Sequence, residues 1–154
     1  MHEEALIHGS CIAIDGKGVL LLGAPGAGKS DLVLRLLDHS GSGISGQLRH
    51  ARMVADDQVA VRRIGDSLSA SAPAALAGKL EIRGLGTVNV AALAEAPMAL
   101  AVRLTPAIEI ERMPELDRAR MDILGISIPL ILIDPEKASA PARIRAALDH
   151  FQPS

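Results

Sequence analysis

Residues 23 to 30 read Gly23-Ala24-Pro25-Gly26-Ala27-Gly28-Lys29-Ser30, the pattern Gly-x-x-x-x-Gly-Lys-Ser. The glycines let backbone N–H groups curl around phosphate oxygens, Lys29 brings a positive charge toward the outer phosphates, and the Ser30 hydroxyl can ligate Mg2+. The helix expected to follow adds unpaired N–H groups and the positive end of its dipole. The chain's own residue frequencies give roughly 0.003 chance occurrences of such a pattern, so coincidence is a poor account of it. The implied ligand is a nucleotide carried with magnesium.

Other side chains could complete such a chemistry. Asp56 and Asp57 follow an apolar run 26 residues after Ser30, where phosphate-loop folds place an acid near the metal. If both lie on a strand they face opposite ways, one toward magnesium and the other toward the phosphoryl acceptor. A solvated turn pair is the alternative. Glu81 and Arg83, two residues apart, share one face of an expected strand, a spacing that also suits a surface pair. Taken alone, His8 reads as structural or exposed and Arg118 as an ordinary loop arginine. His2, His39, His50 and His150 have no metal-ligand spacing.

These residues need a frame. Ala5–Ile7 and Ser10–Ile14 read as short strands, with a turn at Asp15-Gly16-Lys17-Gly18. Val19–Leu22 is a continuous apolar run, the mark of a strand covered on both faces. Leu32, Val33, Leu36 and Leu37 give an amphipathic helix from Lys29 to about His39. Further strands are expected at Arg52–Ala55, Val59–Val61, Leu80–Arg83, Met98–Leu104 and Ile126–Ile133. A C-terminal helix is expected at about 141–151. Ser40 to His50, rich in Gly and Ser, reads as a flexible surface loop. The reading is α/β: one P-loop kinase-like domain, residues 1–154, around a central mixed sheet.

Composition excludes other classes. The net charge is −2 and no basic block occurs, so the footprint of a nucleic-acid binder is missing. Phe151 is the sole aromatic residue, which leaves little for base stacking. No apolar run approaches the ~18 residues of a membrane helix. The single Cys11 forms no intramolecular disulfide and reads as a buried small hydrophobe. A cytoplasmic protein is expected.

Several separate segments resemble the catalytic domain of the HPr kinase/phosphorylase family. They are Leu6-Ile7-His8-Gly9, Asp15 to Leu20, the phosphate loop, Met53 to Val59, and Leu80-Glu81-Ile82-Arg83-Gly84-Leu85-Gly86-Thr87-Val88-Asn89-Val90. Weaker likeness runs through Asp117-Arg118 and Ile123 to Pro129, so most of the chain is covered, as a short form made of the catalytic domain. The resemblance implies ATP- and Mg2+-dependent phosphorylation of a serine of the phosphocarrier protein HPr, and removal of that phosphate by phosphorolysis. It aligns His8, Lys29, Asp56 and Arg118 with the family's catalytic residues, with Asp56 as the base. It aligns Ser30 and Glu81 with the magnesium ligands, and Asp57 is expected to support that metal shell. A homo-oligomer is a further expectation. Two departures stand out: the loop before Asp56 is longer than usual, and the segment Asp134 to Ala140 differs from the one associated with dephosphorylation. On the same residues two other functions stay open. One is a P-loop kinase for another protein or a small molecule, the other a nucleotide-binding regulatory module.

Overall fold

The apolar runs early in the chain become strands buried on both faces. The protein, a computed structural model describing residues 3–152, has the order β1 (Glu4–His8), β2 (Ser10–Ile14), β3 (Lys17–Leu22), α1 (Lys29–Asp38), β4 (Ala51–Ala55), β5 (Gln58–Ile64), β6 (Ser67–Ser71), β7 (Lys79–Ile82), β8 (Gly86–Asn89), β9 (Glu95–Leu104), β10 (Arg120–Ile123), β11 (Ile126–Ile133) and α2 (Ala140–Phe151). The ends of the 1–154 domain, His2 among them, lie outside the described residues.

Strand alternation divides the core. Ile12, Ile14, Val19 and Leu21 join Leu32, Val33 and Leu36 of α1 and Ile144 and Leu148 of α2 in one apolar cluster. Cys11, Ala13, Leu20 and Leu22 point the other way, into a second cluster with Val54, Val59, Val61 and Ile128. The period of two along β2 and β3 is what lets one apolar run serve two layers. Burial raises the Cys11 thiol to about 12, so it sits in the core as a protonated hydrophobe.

Long β9 joins two half-sheets. Its N-terminal end pairs with β6, which leads through β5 to β1. Its C-terminal end lies parallel to β3 on one side and to β11 on the other. Antiparallel β2 follows β3, and β4 follows β2. The β2–β3 hairpin closes through Asp15 (φ 50) and Gly16 (φ 79), the left-handed pair that a two-residue turn with right-handed strand twist requires. The β7–β8 hairpin stands apart and sends fully buried Leu80 into the helix-side cluster.

The segment from Ser40 to His50, expected as a flexible loop, is tied down at its ends. Gly41 and Arg49 form an antiparallel bridge, with the Arg49 N–H donating to the Gly41 carbonyl at 2.8 Å. From α2, the buried Arg145 guanidinium donates to the carbonyls of His39 (2.9 Å) and Arg49 (3.3 Å). A cation here also caps the negative end of α1. Burial lowers the Arg145 pKa, with Asp15 opposing that shift.

Candidate functional site

Because β3, β4, β9 and β11 run the same way, their carboxyl ends open on one edge of the sheet. That edge therefore gathers the loop after Leu22, Asp56 after β4, Thr105 after β9, Asp134 after β11, and the start of β2. The crevice beyond strand carboxyl ends is where open α/β sheets bind ligands.

The loop Gly23-Ala24-Pro25-Gly26-Ala27-Gly28 joins β3 to α1, and Lys29 and Ser30 open the helix. Gly26 (φ 82) and Gly28 (φ 101) occupy left-handed backbone that a side chain would strain. Gly23 is required by proximity, since a Cβ there would lie 3.0 Å from Ala27 Cβ and 3.3 Å from Leu104 Cβ. Gly28 caps α1 without any side-chain hydrogen bond, which leaves the first-turn N–H groups to an anion. The Lys29 ammonium donates to the Gly23 carbonyl at 2.6 Å and to the Ala24 carbonyl at 3.4 Å. The phosphate-loop residues thus form a cradle that fits a nucleotide's phosphates.

Among the described residues the buried polar or charged ones are Ser10, Lys29, Asp56 and Arg145. All but Arg145 lie at this edge. Buried polar groups are the informative exceptions to an apolar interior.

Asp56 and Asp57 do not extend a strand but make a tight turn between β4 and β5. The Gln58 N–H donates to the Asp56 carbonyl at 2.8 Å, a two-residue reach, around Asp57 at φ 70. This is a γ-turn with a positive φ at its centre, a costly conformation for a non-glycine residue that concentrates at functional sites. The turn separates the two acids by corner geometry instead of strand alternation. Asp56 goes inward, 7% exposed, where the Ser10 hydroxyl donates to Oδ1 at 2.9 Å and the Glu81 N–H donates to Oδ2 at 3.3 Å. Asp57 turns outward, its side chain 67% exposed, with Oδ1 3.7 Å from His8 Nδ1. The Asp57 carbonyl accepts from the Gly9 N–H at 3.0 Å, which locks the β1–β2 corner to the β4–β5 corner. Gly9 is needed there because a Cβ would fall 2.6 Å from the Leu21 carbonyl oxygen.

His8, Asp56, Asp57 and the backbone of Glu81 are therefore brought together, and Cys11 stands in register with both Ala55 and Leu20. The Asp56 backbone leaves β4, two strand spacings or about 10 Å from β3, while its carboxylate reaches Ser10 on β2, the strand beside β3. Arg118 is not brought in. It lies before β10, three strand spacings or about 14 Å beyond β3, with its side chain 80% exposed and its guanidinium donating to Glu115 Oε2 at 3.2 Å. It lines a groove of about 570 Å³ with Glu109, Glu111, Glu115, Leu116 and Leu132.

Among the described residues no group of three or more His, Cys, Asp or Glu side chains could hold a metal unaided. The donors on hand are the Ser30 hydroxyl and the separate carboxylates of Asp57 and Glu81. A few hard oxygens completed by phosphate and water suit Mg2+, which takes one or two carboxylates and keeps several waters.

The sequence reading missed Ser10 as a partner of Asp56; its signal was a hydroxyl opening an otherwise apolar strand. It also missed Asp134, whose Oδ1 accepts from Glu136 N–H at 2.9 Å and Oδ2 from Ala107 N–H at 3.0 Å. Those bonds, the Glu136 one foremost, hold the Asp134 carboxyl below the usual carboxylate range. The turn it organises packs Pro135 against Gly28 and offers its Pro135 and Lys137 carbonyls to Arg35 of α1.

Comparison with known proteins bears on this edge. The family model described as "HPr Serine kinase C-terminal domain" matches residues 1–148. The chain is 43% identical over 91 residues to the HPr kinase/phosphorylase of Caldanaerobacter subterraneus subsp. tengcongensis, covering 58% of the chain and 27% of that protein. It is 35% identical over 147 residues to HPr kinase/phosphorylase 1 of Oceanobacillus iheyensis, covering 89% and 42%. The chain thus spans less than half the length of these relatives. The solved HPr(Ser) kinase/phosphatase of Coxiella burnetii superposes with a TM-score of 0.77 at 25% identity, over 95% of each chain.

Proposed function

The chain belongs to the family of the HPr serine kinase C-terminal domain, and from that premise we propose that it transfers a phosphoryl group from a nucleotide to a serine of HPr. The observation that carries the reading is the buried carboxylate of Asp56, held through both oxygens on the edge that also carries the phosphate loop. A nucleotide-binding module needs the loop alone; a carboxylate fixed against Ser10 on the strand beside β3 is the base that transfer to a hydroxyl needs in addition.

The backbone N–H groups of Gly23 to Ser30 bind phosphate oxygens, and Lys29 turns its ammonium from the loop carbonyls toward them. Bound ATP with Mg2+ supplies the phosphoryl group and neutralises its charge, with Ser30, Asp57 and Glu81 as the residues that would hold the metal. Asp56 accepts the proton of the seryl hydroxyl as the serine oxygen–phosphorus bond forms and the bond to the leaving diphosphate breaks. His8, beside Asp57, stabilises charge on the transferring group. Arg118 would have to approach from its groove to do the same, a movement of the loop between β9 and β10. In phosphorolysis the same Asp56 returns the proton to serine.

Incubating the protein with labelled ATP, Mg2+ and HPr, beside HPr lacking its target serine, tests the reading. Label on the first and not the second is expected. Label on neither, with ATP bound, would favour a regulatory module, and label on another acceptor a kinase of different specificity.

No helix of the described residues is long and apolar enough to cross a membrane.

A further inference from the structure

Ser10 is 1% exposed at the head of a strand whose other residues are all buried and apolar. Its hydroxyl reaches across 46 residues of sequence to Asp56 Oδ1, while Oδ2 is held by the Glu81 N–H. The terminal torsion of an aspartate is otherwise broad. Donors on two different elements, β2 and β7, fix the carboxylate plane, and each oxygen still has lone-pair capacity for a further proton or donor.

The placement of Ser10 gives this bond a direction. Ser10 is in register with Leu21 on β3, the strand that runs into the phosphate loop. Asp56 leaves β4 on the far side of β2, at a strained turn that by itself leaves the side chain's aim open. A hydrogen bond from β2 therefore references the carboxylate to the same strand pair that positions the phosphates.

We propose that Ser10 is a positioning residue for phosphoryl transfer, holding the Asp56 carboxylate at a fixed orientation to the phosphate loop. The inference rests on the reading of Asp56 as the base given above. Packing alone does not account for a serine here, because an alanine or valine would extend the apolar run without leaving a hydroxyl to satisfy.

The test compares Ser10→Ala, Ser10→Cys and Ser10→Thr with the parent protein. Three quantities are read: steady-state phosphorylation of HPr, calorimetric affinity for ADP with Mg2+, and thermal unfolding. Cysteine matches serine in shape but donates weakly, so it separates the hydrogen bond from the volume. Ser10→Ala and Ser10→Cys are both expected to lower kcat about 10-fold, with KM for ATP and affinity for ADP unchanged. Ser10→Thr, which keeps the hydroxyl, should restore kcat. A Ser10→Cys variant with parental kcat overturns the proposal, and so does a parallel loss of kcat, nucleotide affinity and thermal stability that Ser10→Thr fails to repair. Asp56→Asn, assayed alongside, separates the two levels. If it retains kcat, the base assignment fails and the Ser10 role with it; if it loses kcat while Ser10→Ala does not, the Ser10 role alone fails.

Discussion

Lys29 Nζ lies 2.6 Å from the Gly23 carbonyl oxygen, so the cation that opens α1 is folded back onto the first residue of its own loop. Its hydrogen bonds are to its own loop, and though buried it belongs to neither apolar cluster. Lys29→Ala is expected to lower turnover by about 10²-fold or more while changing unfolding free energy by only about 1 kcal/mol. Kinase assays and thermal melts check the pair; parental turnover in the variant would remove the loop from the chemistry.

Asp56→Asn keeps the shape of the side chain and one acceptor oxygen but loses the carboxylate proposed as the base. The variant should hold nucleotide normally and transfer phosphate about 10²-fold more slowly or worse, in the reverse direction as well as the forward one. Calorimetry with ADP and Mg2+, paired with single-turnover assays, reads both. Weakened metal-nucleotide binding with an intact maximal rate would make Asp56 a metal ligand and hand the base to Asp57.

Glu81 presents an exposed carboxylate while its N–H is engaged with Asp56. Removing one anionic oxygen from a hard-cation site weakens it, so Glu81→Gln should shift the Mg2+ dependence of activity to higher concentration. An unchanged titration would leave Glu81 with only its backbone role.

Cys11 gives a pH signature. Its thiol is raised from 9.0 to about 12 by burial, so the folded state keeps a proton that the unfolded chain releases first. The resulting stabilisation is complete below pH 9 and is lost as pH rises from 9 toward 12. Stability measured across this window should decline less steeply in Cys11→Ala than in the parent, after the offset caused by the lost volume. Equal slopes would mean that the thiol is already accessible in the folded state. Thiol reagents at neutral pH should react with Cys11 only after unfolding.

What could be read from sequence was contiguous. The phosphate loop, the runs that became β2 and β3, and both helices need only neighbours in the chain, and α1 ends at Asp38 where the reading put about His39. Strands β6 (SLSAS), β8 (GTVN) and β10 (RMDI) were not foreseen: β6 and β10 alternate polar and apolar residues but offer only two apolar positions each, and β8 offers one, in runs of four or five residues. The Asp56 corner was half legible. Two acids after an apolar run suggested a site, but the positive φ of Asp57 and the bond from Ser10 come from the meeting of two strand corners. No local pattern records that meeting. Nor could sequence show that Arg118 stands at the outer side of β11, paired with Glu115.

The dependence of the phosphate loop on β9 and on Pro135 also sets an order of events in time. Gly23 is seated between Ala27 and Leu104, and Gly28 against Pro135, so a motif made early by the ribosome acquires its Leu104 wall 74 residues after Ser30 and its Pro135 wall 105 residues after Ser30. Parallel pairing of β3 with β9 is likewise a distant contact, of the kind that forms slowly. The loop should be among the last segments to gain protection from hydrogen exchange during refolding, well after the β2–β3 hairpin. A nascent chain halted before Leu104 would then display the complete motif and bind no nucleotide, and one that did bind would show that the cradle forms without its walls.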